Sequence, residues 1–171
     1  MRETDTLRSK IQRETLRDEL MKTEWNVYLT LLFHRHIPLE EGHKLIYKWD
    51  GLVSRRIVGR RFHKKNNYGK RMVYFGCMGF DGQTHLHTHL LVKVPLEWKR
   101  EGFRGGFEES FGKVVDKGKV FFSTNDKNYF DDTDRENIVS YTTLTRHLGL
   151  DDTGLLDTSS IVISNNYEMK M

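Results

Sequence analysis

The chain has 171 residues, of which 37% are hydrophobic and 30% are charged, and its formal net charge is +4. This length and composition predict one soluble globular domain with its own core, and they disfavour the disordered and membrane-spanning classes. The single cysteine, Cys77, excludes an internal disulfide framework and a C-x-x-C zinc site. We therefore expect residues 1–171 to form a single domain in a reducing compartment, the cytoplasm.

The chain begins with a predicted helix over residues 6–23. No Gly or Pro interrupts this segment, and its apolar residues recur every four or five positions: Leu7, Ile11, Leu16 and Leu20. The segment lacks the apolar core of a signal peptide, and no uncharged run in the chain approaches the ~20 residues that span a bilayer. We expect residues 1–23 to form a helical extension before a core of residues 25–164, with no membrane partner.

A strand and a helix are predicted next. The segment "WNVYLTLLF", residues 25–33, is rich in β-branched and aromatic side chains and predicts a buried strand. Proline is tolerated at the first position of a helix. A helix is therefore predicted to begin at Pro38 and to continue through Leu45, Trp49 and Leu52.

A basic segment follows this helix. Residues 55–71, "RRIVGRRFHKKNNYGKR", contain eight Lys or Arg and no acid, so the rest of the chain holds 20 bases against 24 acids. Phe62 and Tyr68 are interleaved, a mixture typical of segments that bind phosphates and stack on bases, although a solvated loop is the plainer alternative. The candidate DNA-binding residues are Arg55, Arg56, Arg60, Arg61, Lys64, Lys65, Lys70 and Arg71.

Two apolar runs predict a β-hairpin. Residues 71–80, "RMVYFGCMGF", and residues 85–94, "HLHTHLLVKV", flank the turn sequence "DGQT", and Asp-Gly between such runs is a strong hairpin signal. The second run carries histidines at three alternate positions: His85, His87 and His89. Because residues two apart in a strand share one face, the three imidazoles are expected to line up together.

The rest of the chain predicts further helices and short strands. Phe103, Phe107 and Phe111 repeat every four residues and favour an amphipathic helix. The predicted elements are a helix over residues 96–114, a strand over 118–124, a helix over 131–149 and a strand over 159–164. Their order predicts an α+β fold in which helices pack on an antiparallel sheet.

The histidine row has the chemistry of a metal site. Imidazole is the commonest protein ligand of borderline divalent metals, and two imidazoles at i and i+2 on one strand face can share an ion. Residues four apart on a strand lie ~13 Å apart, so all three histidines cannot bind one ion unless a bulge intervenes. His87 belongs to both possible pairs; we favour His89 as its partner and treat His85 as a third ligand or a neighbour. Candidates for a further ligand are Asp81 and, less favourably, Cys77 and Gln83.

Two other interpretations of the histidines stay open. They could form a solvent-facing cluster without a ligand, or a zinc site of a hydrolase or hydratase. The zinc site would need a second set of ligands, and the only other histidine pair, His34 and His36, has Arg35 between its members and is predicted to lie in a loop. A site with few protein ligands leaves open coordination positions, which suits catalysis more than a structural role.

Three segments resemble one known family. "HLHTHLLV" resembles the His-hydrophobic-His signature of the HUH endonucleases, the single-strand nickases of rolling-circle replication, conjugation and some transposition. "WNVYLTLLF" resembles the first conserved strand of the replication initiators, and "NIVSYTTLTR" resembles the helix that carries the nucleophilic tyrosine. The resemblance spans residues 25–164. It implies an RRM-like, HUH-type topology with a central His-x-His strand, and it points to a rolling-circle initiator of phage or plasmid type.

The resemblance implies that Tyr141 is the nucleophile. The alternative for this mid-helix tyrosine is a core position packed on the sheet. The family usually shows Tyr-x-x-Lys, but Leu144 occupies the lysine position here, so a base from residues 55–71 would have to replace it. Tyr167, in the literal "YEMK", ranks second because it follows the last predicted strand. Tyr129, which acids flank, ranks third.

The chemistry implied by the resemblance is cleavage through a covalent phosphotyrosine, which conserves the bond for resealing without ATP. The resemblance also implies a divalent metal, Mn²⁺ or Mg²⁺, that the histidines hold and that polarises a phosphate oxygen. No G-x-x-x-x-G-K-[ST] loop occurs, so no nucleotide partner is expected. The expected partners are single-stranded DNA at an origin or hairpin and a host helicase and polymerase, in a bacterial or archaeal cytoplasm.

The sequence thus predicts a metal-dependent nickase and strand transferase that acts on single-stranded DNA. A relaxase or transposase of the same superfamily is one alternative. A non-enzymatic module that binds single-stranded DNA or RNA, with a structural or vestigial metal, is the alternative from another class. Leu144 in the lysine position is the best argument for the binding module.

Overall fold

One antiparallel sheet organises the molecule. The computed structural model describes residues 7–81, 85–95, 98, 103–122, 132–142 and 158–167, without the side chains of residues 8, 9, 81, 132–135 and 141. The strands in this part of the chain are β1 (Val27–Leu32), β2 (Val73–Asp81), β3 (His85–Lys93), β4 (Lys119–Phe122) and β5 (Ile161–Ile163). The α-helices are α1 (Leu7–Met21), α2 (Leu39–Val58), α3 (Phe103–Val114) and α4 (Asp132–Thr142). Short 3₁₀ helices cover Lys65–Lys70 and Thr158–Ser160.

The strand order is β4-β1-β3-β2-β5, so β3 lies between β1 and β2. Every pairing is antiparallel. The predicted hairpin joins β2 to β3 with Val73 opposite Lys93 and Asp81 opposite His85, while its turn, residues 82–84, lies outside the described residues. The predicted α+β class, with helices and an antiparallel sheet, is confirmed.

The larger core lies on the face of the sheet that α2 and α3 cover. Strand alternation directs Leu86 and Leu90 of β3 to this face, where both are fully buried. Trp49 of α2 lies edge-on to Phe107 of α3, with ring centroids 5.4 Å apart. Its indole Nε1 donates a hydrogen bond to the Phe107 carbonyl at 3.2 Å, so the buried indole nitrogen is satisfied.

A smaller core lies on the opposite face, beneath α1 and α4. Leu20 of α1, Val139 of α4 and Leu91 of β3 belong to this buried cluster. An ion pair between Arg17 and Glu136, at 2.8 Å, links the two helices. The predicted N-terminal helix therefore packs on the sheet rather than standing apart. Because side chains alternate along β3, the odd-numbered histidines share this face with Leu91.

Helix α2 extends six residues beyond the predicted end at Leu52 and takes in the start of the basic segment. The apolar stripe continues through buried Val53 and partly buried Ile57, which pack in the larger core and keep the chain helical. Gly59 follows with φ 91°, a left-handed conformation that glycine adopts at little cost, and its N–H bonds the Arg55 carbonyl.

The other elements agree with the predictions in type but differ in their bounds. The predicted helix over residues 96–114 is described as a helix from Phe103, and the one over residues 131–149 from Asp132 through Thr142. The last strand shortens to Ile161–Ile163 because residues 158–160 form a 3₁₀ turn before it. Within the described part of the chain, no helix has the length and apolarity to cross a membrane.

Candidate active site and nucleic-acid interface

The histidine row occupies one face of β3, as strand alternation predicts. His85 is exposed, whereas His87 and His89 are half-buried. The rings of His87 and His89 have centroids 5.0 Å apart and planes at 74° to one another. Two imidazoles that bind one ion through bonds of about 2.0–2.1 Å hold their centroids roughly 4.5–5.5 Å apart. The spacing of His87 and His89 therefore fits a shared ion.

Strand β1 holds His89 in a defined orientation. Thr30 lies opposite His89 in the β1–β3 register, and its Oγ1 is 3.0 Å from the imidazole Nδ1. Tyr28 stacks in parallel with the imidazole, with centroids 6.0 Å apart and planes at 4°. When the Thr30 oxygen accepts the proton of Nδ1, the lone pair lies on Nε2, which is then available to bind a metal.

His87 lies above a glycine of the neighbouring strand. Gly79 is its partner in the β2–β3 register, and a Cβ built on Gly79 would lie 3.5 Å from the His87 Nε2. The Nδ1 atom of His87 is buried and has no hydrogen-bond partner among the described residues. Buried polar atoms are almost always paired, so this nitrogen is an exception.

His85 stands apart from that pair. Its ring lies 6.4 Å from the ring of His34, in the loop between β1 and α2. His34 has φ 53°, the left-handed conformation that few non-glycine residues adopt. His36 turns elsewhere and stacks on Phe80 at 5.3 Å. The loop histidines thus contact different residues, and His34 extends the row at the His85 end.

His87 and His89 form a pair of potential metal ligands. Among the residues whose side chains are described, no group of three or more His, Cys, Asp or Glu is arranged to hold a metal ion. Cys77, opposite His89, is buried; burial raises the pKa of its thiol to about 12, and its Sγ donates to the Thr142 carbonyl at 3.7 Å. The thiol is therefore protonated and occupied. The Asp81 side chain and Gln83 lie outside the described residues.

The predicted nucleophile belongs to a helix on the same face as the histidines. Helix α4 buries Val139 in the cluster that contains Cys77 and Leu91, and the Cys77–Thr142 contact joins its last turn to β2. Tyr141 lies in that last turn, but its side chain is outside the described set, as are residues 129 and 144. The fold thus brings the helix that contains Tyr141 to the histidine-bearing face.

Tyr167, the second candidate, lies elsewhere. Its ring centroid is 5.5 Å from that of Trp25, and its hydroxyl accepts a long hydrogen bond from Thr23 at 3.4 Å. The next residue after Trp25, Asn26, bonds to the backbone of Val94 through its side chain. Tyr167 is therefore near the end of β3 that is remote from His87, about 20 Å along the strand.

Seven of the eight candidate DNA-binding residues are exposed: Arg55, Arg56, Arg60, Arg61, Lys64, Lys65 and Lys70. The first two belong to the last turn of α2, and Lys65 and Lys70 bound a 3₁₀ helix. We call these seven exposed cations the basic surface. Arg56 of this surface forms an ion pair with Glu109 of α3.

Arg71 differs from the basic surface. Its side chain is only 6% exposed, and its guanidinium donates to the Asp50 carboxylate at 2.7 Å and to the Ser54 hydroxyl at 3.2 Å. The guanidinium carbon also lies 5.5 Å from the Phe62 ring centroid and 5.7 Å from that of Tyr68. Arg71 thus anchors the segment from inside and is not included in the proposed interface.

The sequence did not identify Thr30, Tyr28 or Gly79 as parts of the histidine site. Strand alternation would have placed each on one face of its own strand. Their contacts with the histidines depend on the register between strands, which the sequence does not specify. Comparison of the chain with protein-family models, with curated proteins and with solved structures gives no match.

Proposed function

We propose that this protein is a metal-dependent nickase and strand transferase that acts on single-stranded DNA, with the arrangement of an HUH endonuclease. One observation carries the proposal: the close pair His87 and His89 and the helix that contains Tyr141 lie on the same face of the sheet. That β3 is flanked by strands on both sides supports an HUH-type topology with a central His-x-His strand.

The chain's own groups would act as follows. The phenol oxygen of Tyr141 attacks the phosphorus and forms a new P–O bond, its proton passes to solvent or a nearby base, and the bond from phosphorus to the 3′ oxygen breaks. The 3′ oxygen takes up a proton and leaves as a hydroxyl. The 5′ phosphate stays on Tyr141. Attack by a 3′ hydroxyl on this ester reverses the sequence and reseals or transfers the strand.

The histidines and the basic surface have separate tasks in this proposal. His87 and His89, with His85 as a further ligand or neighbour, would hold Mn²⁺ or Mg²⁺. Such an ion supplies Lewis-acid stabilisation of charge on a non-bridging phosphate oxygen. The exposed cations would bind the DNA backbone and keep the strand in register. One of them would have to replace the lysine that the family carries where this chain has Leu144.

We place the protein in the cytoplasm of a bacterial or archaeal host, where a host helicase and polymerase would supply unwinding and synthesis. A relaxase or transposase of the same superfamily is one alternative. The second candidate function is that of a module that binds single-stranded DNA or RNA without cleaving it. The specific observation in its favour is the pair of histidines without a third ligand among the described side chains.

A cleavage assay tests the proposal. The protein is incubated with Mn²⁺ and a pool of random single-stranded oligonucleotides labelled at the 3′ end, and the products are separated on a denaturing protein gel. We expect a labelled covalent species that EDTA abolishes, that Tyr141→Phe lacks and that the matched control Tyr167→Phe retains. An adduct that persists in Tyr141→Phe would refute Tyr141 as the nucleophile. Binding of the pool without any adduct would favour the binding module.

Metal binding is tested separately by calorimetric titration with Mn²⁺. His87→Ala and His89→Ala are expected to lose binding, and half-buried His43→Ala, in α2 on the other side of the sheet, to retain it. Retained stoichiometric binding in His87→Ala would contradict the ligand assignment.

A further inference from the structure

A small cavity lies at the end of β3 remote from His87. It has a volume of about 180 Å³, is partly open to solvent, and its walls include Tyr68, Val73, Lys93, Pro95 and Asn166. Val73 is opposite Lys93 in the β2–β3 register, whereas Gly79 is opposite His87. Six residues of strand therefore separate the cavity from His87, which corresponds to roughly 20 Å.

The structure gives different roles to the two aromatic residues of the basic segment. Phe62 is half-buried, and its ring approaches Gly51 of α2, where an added Cβ would lie 3.9 Å from it. Tyr68 is 37% exposed and lines the cavity. Both rings contact the Arg71 guanidinium. Phe62 therefore packs inward, and Tyr68 is the ring that a ligand can reach.

The backbone of Tyr68 is fixed by hydrogen bonds, and its ring packs on the Arg71 guanidinium, without any ligand. Its carbonyl accepts hydrogen bonds from the Arg71 backbone N–H at 3.1 Å and from the Asn166 Nδ2 at 3.2 Å. Arg71 is itself fixed by the buried Asp50 and Ser54. An aromatic ring that is already ordered loses little conformational entropy when it stacks on a ligand.

Asn166 also lines the cavity. Because its Nδ2 donates to the Tyr68 carbonyl, the orientation of the amide is set by this bond. The other amide atom, Oδ1, is buried and has no donor among the described residues. A buried acceptor without a donor is unfavourable, and a ligand N–H satisfies it only when the amide shifts to expose Oδ1 to the cavity.

We propose that this cavity binds a single base of the DNA strand, stacked on Tyr68 and in contact with Asn166. That the ligand is single-stranded DNA rests on the proposed function. The inference adds to that function a recognition subsite several nucleotides from the scissile phosphate. A cavity of about 180 Å³ is smaller than the ~300 Å³ or more that drug-sized ligands occupy, and it suits one planar ring.

The charge around the cavity favours a nucleic acid as its occupant. The 3₁₀ helix that contains Tyr68 begins at Lys65 and ends at Lys70, and both are exposed. Lys93, which pairs with Glu24 at 3.8 Å, lines the cavity itself. No acid occurs between residues 55 and 71. A base on Tyr68 would therefore have its flanking phosphates among cations, the combination by which single-stranded nucleic acids are bound.

The test measures binding in EDTA, where cleavage does not interfere. The probes are fluorescein-labelled dA, dC and dT homopolymers of roughly 12 nucleotides, an abasic chain of equal length, and the matching RNA homopolymers. Tyr68→Ala removes the ring, Tyr68→Phe keeps it, and Tyr47→Ala removes an exposed tyrosine of α2 as a matched control. Circular dichroism verifies that each variant is folded.

We expect Tyr68→Ala to weaken binding of the base-containing DNA about 5- to 100-fold, with Tyr68→Phe and Tyr47→Ala close to wild type. The wild type should prefer DNA with bases to the abasic chain, and Tyr68→Ala should lose that preference while keeping its salt dependence, since phosphate contacts remain. Equal losses in Tyr68→Ala and Tyr47→Ala, no preference for bases, or no binding of any probe would overturn the subsite. Tyr68-dependent binding that is tighter for RNA would overturn the assignment to DNA. A protein that shows the Tyr68 effect but no covalent adduct would retain the subsite and lose the nickase.

Discussion

The hydroxyl oxygen of Thr30 lies 3.0 Å from Nδ1 of His89, although the two residues are 59 positions apart in the chain. The contact joins a side chain of β1 to a candidate metal ligand of β3. Partners of this kind fix the tautomer and the orientation of a ligating imidazole, and their loss typically lowers metal affinity. Thr30 is therefore a positioning residue in the proposed site.

Substitution of Thr30 by valine should weaken Mn²⁺ binding while the fold persists. Valine keeps the branched shape but removes the hydroxyl, so His89 loses the hydrogen bond that helps to orient it. We expect Kd to rise about 10- to 100-fold in a calorimetric titration. The matched control is Thr88→Val on β3, on the opposite face, where the Thr88 hydroxyl is buried without a partner in the described part of the chain. That variant should bind Mn²⁺ normally and be equally or more stable. Equal losses in both variants would contradict a specific role for Thr30.

The Asp50–Arg71 pair should be essential for stability because both side chains are buried. Arg71→Met leaves the Asp50 carboxylate without its cation, and removal of one partner of a buried pair typically costs ~3–5 kcal/mol of unfolding free energy. Burial raises the pKa of Asp50 above its ordinary value, with Arg71 acting in the opposite direction, so the carboxylate is costly to keep charged. We therefore expect the double variant Asp50→Leu with Arg71→Met to recover much of the loss in urea unfolding.

Exposed Lys70 provides the control for this prediction. Lys70→Met should change the unfolding free energy by less than ~0.5 kcal/mol, since substitutions at exposed positions rarely do more. It should instead weaken binding of single-stranded DNA and reduce its salt dependence. Stability unchanged by Arg71→Met would refute the anchoring role of Arg71.

Removal of the Glu109 charge should strengthen DNA binding. Glu109 pairs with Arg56 of the basic surface and also with Lys113 at 2.6 Å, so under the proposed function it would compete with DNA phosphate for Arg56. Exposed ion pairs are weak, so the gain from releasing Arg56 is small. Glu109→Gln is therefore expected to lower Kd for single-stranded DNA by about 1.5- to 5-fold, an effect that high salt should reduce. Glu40→Gln, which changes the net charge equally at an exposed pair with Lys44, should have a smaller effect.

The pKa of the Glu109 carboxyl group sets the pH range over which it pairs with Arg56. Hydrogen bonds from Lys113 and then Arg56 lower the pKa of Glu109 to about 2 from 4.5. Because the pKa of Glu109 is depressed, its ion pairs contribute fully to stability when the pH is above about 4.5. This contribution is lost as the pH falls from about 4.5 towards 2. The stability of wild type should thus fall more steeply with acid than that of Glu109→Gln over this interval. Parallel acid curves for the two proteins would contradict the assignment.

The Cys77 thiol should be inert in the folded protein. Burial raises its pKa to about 12, and only the thiolate reacts with disulfide reagents or binds metals. Labelling at mild alkaline pH should therefore be slow in the native protein and fast in urea. Because the pKa of the thiol is raised from 9.0, the stability contributed by the buried, protonated thiol is complete below about pH 9 and is lost as pH rises towards 12. Cys77→Ala should not show this alkaline loss of stability. Rapid labelling of the native protein would reopen Cys77 as a metal ligand.

Local patterns in the sequence were enough to predict the elements around the candidate site. Asp-Gly between two apolar runs predicted the β2–β3 hairpin, and the two-residue period of a strand placed His85, His87 and His89 on one face. The apolar stripe of α2 could also have been followed past Leu52, since Val53 and Ile57 continue it. These features depend on backbone geometry within a few residues, so they can be read without knowledge of the rest of the chain.

The partners of those elements were decided only by the tertiary structure. Thr30 contacts His89 because β1 pairs with β3 in one register, and a shift of one residue would direct Thr30 to the other face. Arg71 and Lys70 are adjacent and look alike in the basic segment, yet the packing of α2 buries one and exposes the other. In the same way, packing leaves Phe62 half-buried and Tyr68 exposed. The sequence by itself determined which chemical groups are present and which face of a strand or helix each takes, whereas pairing, burial and distance between remote segments required the folded chain.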